Sequence, residues 1–292
     1  FLNPLVWVFE GLCVLLLVLV IRGNNVAAFG EETGTVIFII SGLGAFALPL
    51  IYLAVAWYSE HYNKKPLRFF IAMFCWGMFA AFISFAISSF YGGDIANMLV
   101  QLGIAAPSAI VGTALLAPII EELTKGIGVL FASGHHEYDD ALTGLLLGFT
   151  CGIGFSFVEN WFYFASKTNP FELGFLPWLG LIFYRSLFNS LAHGCFTAAT
   201  GAVIGYMKAR PSISKYAGLG LIPGLFAAIA LHAMFNVSAL VDGFAIAAYQ
   251  FPIFIFNPAL VVIMVALFGV IFVLASREEK KGIEKKEAKA RA

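Results

Sequence analysis

The chain is 292 residues long, 61% hydrophobic and only 12% charged, with 31 phenylalanines and a formal net charge of zero. A soluble core does not need that much apolar surface, and a balanced charge gives no basic footprint for nucleic acid, so composition excludes both classes and points to a polytopic membrane protein. Apolar runs long enough to cross about 30 Å of hydrocarbon recur along nearly the whole length and leave no room for a separate soluble domain.

In chain order the predicted spans are 5–21, 35–58, 66–90, 107–133, 141–166, 177–207, 216–240 and 252–275, an all-α membrane protein of about eight transmembrane helices. Alternation puts the N-terminus, the loops 59–65, 134–140 and 208–215 and the C-terminal tail on one side. That side holds thirteen Lys and Arg against two, Arg22 and Lys167, on the other, so the positive-inside rule makes both termini cytoplasmic. The loop 134–140 carries no Lys or Arg and gives its hairpin no support from charge. The tail, REEKKGIEKKEAKARA, mixes both signs without aromatics and reads as a solvated helix or disordered end. Cys13, Cys75, Cys151 and Cys195 fall within spans without CxxC spacing and read as small packing residues.

Glycines recur at four-residue spacing in Gly144, Gly148 and Gly152, in Gly201 and Gly205, and in Gly220 and Gly224. Each set falls on one helix face and lets neighbouring backbones approach closely, which predicts a tight bundle of helices four to seven. The organisation is therefore a three-helix N-terminal region at 1–106, a four-helix bundle at 107–240, a last transmembrane helix within 241–276 and a charged tail at 277–292.

Those four helices also hold nearly every ionisable residue away from helix ends: Glu121, Glu122, Lys125, Glu159, Arg185, His193 and His232. One charged side chain at the centre of a spanning helix costs about 2.5 to 3.5 kcal/mol on insertion scales, so three within APIIEELTKG need a reason. Lys125 is four residues from Glu121 and three from Glu122 and can reach either. Adjacent residues point about 100° apart on a helix, so one carboxylate can pair with the lysine while its neighbour stays free. Pro118 removes a helix hydrogen bond and frees a carbonyl near the same place. The fifth span adds Glu159 and Asn160 in FSFVEN; the sixth spaces Arg185, Asn189 and His193 by four; the seventh offers His232 and Asn236. Convergence on one cavity would compensate all of these groups, whereas scattering would leave charges in lipid.

A carboxylate base, imidazoles and amides are the inventory for hydrolysis by activated water. Glu121, Glu159, His193 and His232 could equally hold a zinc ion, while the glutamate mechanism requires no cofactor. HExxH and GxSxG are both absent. Two other classes use similar residues: an inactive scaffold that binds a partner helix would co-purify with it and give no product, and a proton-coupled carrier would show pH-driven flux.

Glu121-Glu122-Leu123-Thr124-Lys125, then FxxxEN from Phe155 to Asn160, then His193, then HxxxN from His232 to Asn236, resembles the PrsW-type intramembrane protease family over roughly 107–240. A wider group joins that family to the CAAX prenyl endopeptidases, whose motifs run EExxxR, FxxxH and HxxxN. Lys125, one residue closer than the arginine, and Glu159, in place of the histidine, favour the PrsW branch. The acidic loop Glu137–Asp140 is also family-like, although Thr143 stands where an acid is expected. The resemblance implies an integral protein of a prokaryotic cell membrane that cuts a single-span, anti-sigma-factor-like membrane protein. It also implies that Glu121 or Glu122 is the base, that Glu159, His193 and His232 complete the site, and that Asn236 supports the oxyanion, with Lys125, Asn160, Arg185 and Asn189 alongside. The implied partners are the substrate protein and the lipid bilayer.

Overall fold

The computed structural model describes residues 3–103, 107–249 and 255–291, and every regular element among them is helical. Helices α1 (Pro4–Phe29) and α2 (Glu31–Ser59) turn at Gly30, whose φ of 79° suits a residue without a Cβ. α3 is Leu67–Gln101. α4 covers 108–133 as Ser108–Val111, a π-turn Gly112–Leu116 and Ala117–Ser133. α5 is Ala141–Ser166, and a single turn, Pro170–Leu173, leads to α6, Phe175–Lys208, interrupted by a second π-turn at Arg185–Asn189. A 3-10 segment, Ser214–Gly220, precedes α7, Leu221–Tyr249, and α8 is Phe256–Arg291.

Seven of these helices are long and apolar enough to cross a membrane. The exception is α4, the expected fourth span, because Glu121, Glu122 and Lys125 fall in its middle. Several ends run further than hydropathy suggested: α1 to Phe29, α3 to Gln101, and α8 through the charged tail to Arg291. Residues 252–254 of the last expected span, and 104–106 at the expected domain boundary, lie outside the described residues.

α5 is the central helix. It carries no charged residue before Glu159, and nearly all of its residues are buried, as a helix surrounded by others must be. Close packing on α6 follows from glycine: a Cβ at Gly148 would collide with the carbonyl of Thr197, and one at Gly152 with the carbonyl of His193. On its opposite side α5 meets α3 in the same way, through Gly154 against the backbone of Phe74 and Gly77 against that of Cys151. Helices in lipid associate by close packing rather than by a hydrophobic driving force, so these contacts fix the bundle. They also set the height of Glu159 against His193. Overpacking of a core typically costs about 1–3 kcal/mol, and a backbone contact leaves no side chain to yield. Gly152→Leu is therefore expected to lower the thermal midpoint of the detergent-solubilised protein sharply, read by fluorescence-detected size exclusion after heating; an unchanged midpoint would contradict the packing described.

The loop 134–140, which has no basic residue of its own, is tied down by a neighbour. Lys65, almost fully buried, reaches Asp139 at 2.8 Å and Glu137 at 4.0 Å, and Asn63 bonds Asp139 at 3.0 Å, so the loops 59–65 and 134–140 share one end of the bundle. Beside them Glu60 is buried and accepts a hydrogen bond from the Thr143 hydroxyl at 2.8 Å. Burial raises the Glu60 carboxyl from an ordinary 4.5 to about 8, with nearby Asp140 adding to the rise. The folded state thus holds this proton more tightly than the unfolded chain, and stability falls as pH rises from about 4.5 through 8. Glu60→Gln should flatten that fall: between pH 5 and pH 9 the variant is expected to lose less thermal midpoint than the parent, and equal losses would contradict the assignment.

Candidate functional site

The charged middle of α4 splits its two acids between two surroundings. Glu122 and Lys125 are buried and pair at 2.6 Å. The same lysine lies 2.8 Å from His193 Nδ1 and 3.9 Å from the centre of the Phe155 ring. Glu122 also accepts from Thr197 Oγ1 at 3.1 Å and meets His232 Nδ1 at 3.0 Å, so three helices bind this one carboxylate. Phe155, the aromatic of FSFVEN, stacks on the His193 ring as well as covering the ammonium. A cation stripped of water is stabilised by such a ring face.

Glu121 is placed differently. Its Oε2 is buried with no hydrogen-bond partner and lies 3.8 Å from His232 Nε2. The acid next to the lysine's partner is therefore the uncommitted one.

Glu159 closes the far side. Its carboxylate receives Arg185 Nη2 at 3.2 Å, Asn189 Nδ2 at 2.9 Å and His193 Nε2 at 3.1 Å. Asn160 Oδ1 accepts from Asn189 Nδ2 at 3.0 Å and from Arg185 Nε at 3.2 Å. Arg185 and Asn189 are the two ends of the π-turn in α6, a widened turn of the kind found mostly at functional sites. With an ammonium on Nδ1, the neutral His193 ring accepts there and donates its Nε2–H to Glu159.

The π-turn of α4 explains Asn236. In α4 the Ala117 N–H bonds the Gly112 carbonyl, five residues back. The next bond in that register would run from residue 118 to Thr113, and Pro118 has no N–H. Asn236 Nδ2 supplies the missing donor to the Thr113 carbonyl at 2.8 Å. The asparagine of HxxxN thereby ties α7 to the turn that precedes Glu121.

Every expected site residue converges on this region. A cavity of about 720 Å³ is lined by Glu121, Glu159, Arg185, Asn189, His232 and Asn236, together with Asn257 from α8. Its walls come from the ends of α3 and α5, the second half of α7 and the starts of α4, α6 and α8, so it lies toward the end of the bundle opposite the charged tail. A family model described as PrsW family intramembrane metalloprotease matches residues 65–274. The chain belongs to the PrsW family. No curated protein and no solved structure matches it. The match runs from the start of α3 nearly to the end of the membrane part of α8 and includes every residue of the site, so family membership supports an intramembrane protease.

The family description implies a metal, and the donor set fits one. One ligand atom each from Glu121, His193 and His232 lie within 4.8 Å of one another. Glu121 Oε2 lacks a partner, and His232 turns Nε2 toward it while Nδ1 is held by Glu122, the carboxylate–histidine support typical of ligating imidazoles. Two donors are thus ready, whereas His193 would exchange an existing contact. Glu159, expected as a fourth ligand, stands outside this group with its oxygens occupied by Arg185, Asn189 and His193.

Several residues that contact these groups or line the cavity were not recognised in the sequence. Thr197 is four residues beyond His193 and continues the stripe that begins at Arg185, so periodicity could have found it. Tyr163, whose ring lies 3.9 Å from the Arg185 guanidinium, and Asn257 carried no such signal. Removing one partner of a buried ion pair leaves the other charge uncompensated, at about 3–5 kcal/mol. Lys125→Met is therefore expected to reduce protein level and thermal midpoint severely, and Glu121→Gln to leave both intact or improved. Thermal melts of the two variants check this, and the reverse order would contradict the division of labour between the two acids.

Proposed function

We propose that this chain is an intramembrane endopeptidase that hydrolyses a peptide bond of a single-span, anti-sigma-factor-like membrane protein, with Glu121 at the centre of the chemistry. The observation that carries this reading is the Glu121 carboxylate: its Oε2 is buried and unpartnered, and the residue lines a cavity that also presents Glu159, Arg185, Asn189 and His232. A cavity within the helix bundle that presents these ionisable groups among apolar walls supports a substrate that arrives within the bilayer.

In this reading a cavity water gives a proton to Glu121 Oε2 as its oxygen bonds to the scissile carbonyl carbon, and the carbonyl electron pair moves onto oxygen. Arg185, whose Nη1 makes no hydrogen bond among the described residues, is the donor for that oxyanion. The tetrahedral centre then collapses, the C–N bond breaks, and the proton passes from Glu121 to the departing amine. One water is consumed, and a carboxylic acid and an amine are formed. Glu159 holds Arg185 and His193 in place, Asn189 and Asn160 brace Glu159 and Arg185, Glu122 and Lys125 fix the two imidazoles, and Asn236 steadies the turn before Glu121. A zinc ion held by Glu121, His193 and His232 would, when bound, supply Lewis acidity at the scissile carbonyl. With both termini in the cytoplasm of a prokaryotic cell, the cavity is approached from the outer half of the membrane.

Glu121→Gln and His232→Ala are each expected to reduce cleavage of a co-expressed single-span substrate by at least about 100-fold at unchanged protein level. Full cleavage by both variants would overturn the reading. Metal analysis of the purified protein is expected to find one zinc equivalent that His232→Ala loses; a metal-free preparation of full activity would assign water activation to Glu121 alone.

A further inference from the structure

A second cavity, of about 510 Å³, adjoins the first. Ser88, Ala117, Glu121, Glu159 and Tyr163 line both, so the Glu121 carboxylate stands at the boundary between them. The two differ in chemistry. Beyond the shared wall the second is bounded mainly by Leu17 of α1, Ala81 and Phe85 of α3, and Phe155, Val158 and Phe162 of α5, with the exposed Lys167 the one charged residue added there, its ammonium 5.7 Å from the centre of the Phe162 ring. Its serine Ser84 is already engaged with the Thr124 hydroxyl at 2.8 Å, and the Glu159 oxygens are taken. A peptide backbone entering this space would leave its N–H and C=O groups unsatisfied. An apolar side chain would not, and the volume exceeds that of one aromatic ring.

We infer that the apolar cavity is a specificity pocket that receives a bulky apolar side chain of the substrate residue adjoining the scissile bond. This rests on the hydrolytic reading above. A side chain seated there brings the neighbouring backbone carbonyl to the cavity boundary, where Glu121 stands, while the polar backbone stays in the first cavity beside Arg185, Asn189 and His232. The pocket thus couples choice of residue to placement of the reacting carbonyl. It also accounts for the glycine-free, aromatic face of α5 around Glu159: Phe155 separates the pocket from the Lys125–His193 contact, and Phe162 packs edge-on against Phe85 at 4.9 Å to form another wall.

The test uses the full-length protein in proteoliposomes with a single-span substrate whose residue flanking the mapped cleavage site is Ala, Leu, Phe or Asp. The parent is expected to favour Leu and Phe over Ala and Asp by at least about tenfold in kcat/KM, the discrimination an apolar pocket can provide. Ala81→Phe narrows the pocket and should shift the preference to Ala while the Ala substrate is still cut. Phe85→Ala widens it and should raise relative cleavage of a Trp substrate, which keeps the proposal testable if the first variant does not fold. An unchanged ranking in a folded variant would overturn the pocket assignment, including the case in which a lipid chain occupies the space. Failure of the parent to cleave any of the four substrates, with an inert Glu121→Gln control, would instead count against the hydrolytic reading itself.

Discussion

The structure depends on a buried ion pair. Lys125 and Glu122 sit within a membrane-spanning bundle, and neither charge is tolerable alone at that depth. The pair is satisfied only because α6 brings His193 and Thr197, α7 brings His232 and α5 brings the Phe155 ring to the same point. Each of those helices is therefore held in register by electrostatics as well as by packing. Once the neighbouring acid is consumed in this way, Glu121 is left without a partner beside His232 and open space. The fixed charge creates the free one.

Packing and polarity act on the same atoms. The glycine contacts that let α5 and α6 touch along their backbones end at Gly152 and His193, and one helical stretch further on Glu159 accepts from His193, Asn189 and Arg185. The π-turns do complementary work. One widens α6 so that Arg185 and Asn189 both face α5, and the other, with Pro118, leaves a carbonyl that α7 reaches through Asn236. Regular helices would present fewer of these groups to a shared space.

Much of this was legible in the sequence, for physical reasons that also mark where legibility stopped. Spans follow from apolar runs, and the charges of α4 stood out because lipid penalises them. That Lys125 would take only one of two adjacent carboxylates follows from helix geometry, but which one depends on where α7 places His232, a contact across 110 residues. The glycine periodicity announced close packing of α5 on α6, yet nothing local announced that α3 packs equally closely on the other side, since its Gly77 has no periodic companion. The loop 134–140 carried no basic residue to support the orientation of its hairpin, and the cation that holds it, Lys65, lies in a different loop. Asn236 was expected at the oxyanion from resemblance; its bond to Thr113 depends on a π-turn that no hydropathy pattern encodes.

The central claim is that Glu121 of α4 faces water at a depth where Leu123 of the same helix lies on the outer surface of the bundle. Its most direct test is the reaction of a membrane-impermeant methanethiosulfonate with Glu121→Cys, in protein whose four native cysteines have been replaced, reconstituted in bilayers. Leu123→Cys, on the exposed outer surface of the same helix, is the comparison. The account predicts ready modification at position 121 and none at 123, because a thiol ionises in water and not in hydrocarbon. Equal inertness of the two positions would mean that no hydrated space reaches Glu121 and would contradict the account.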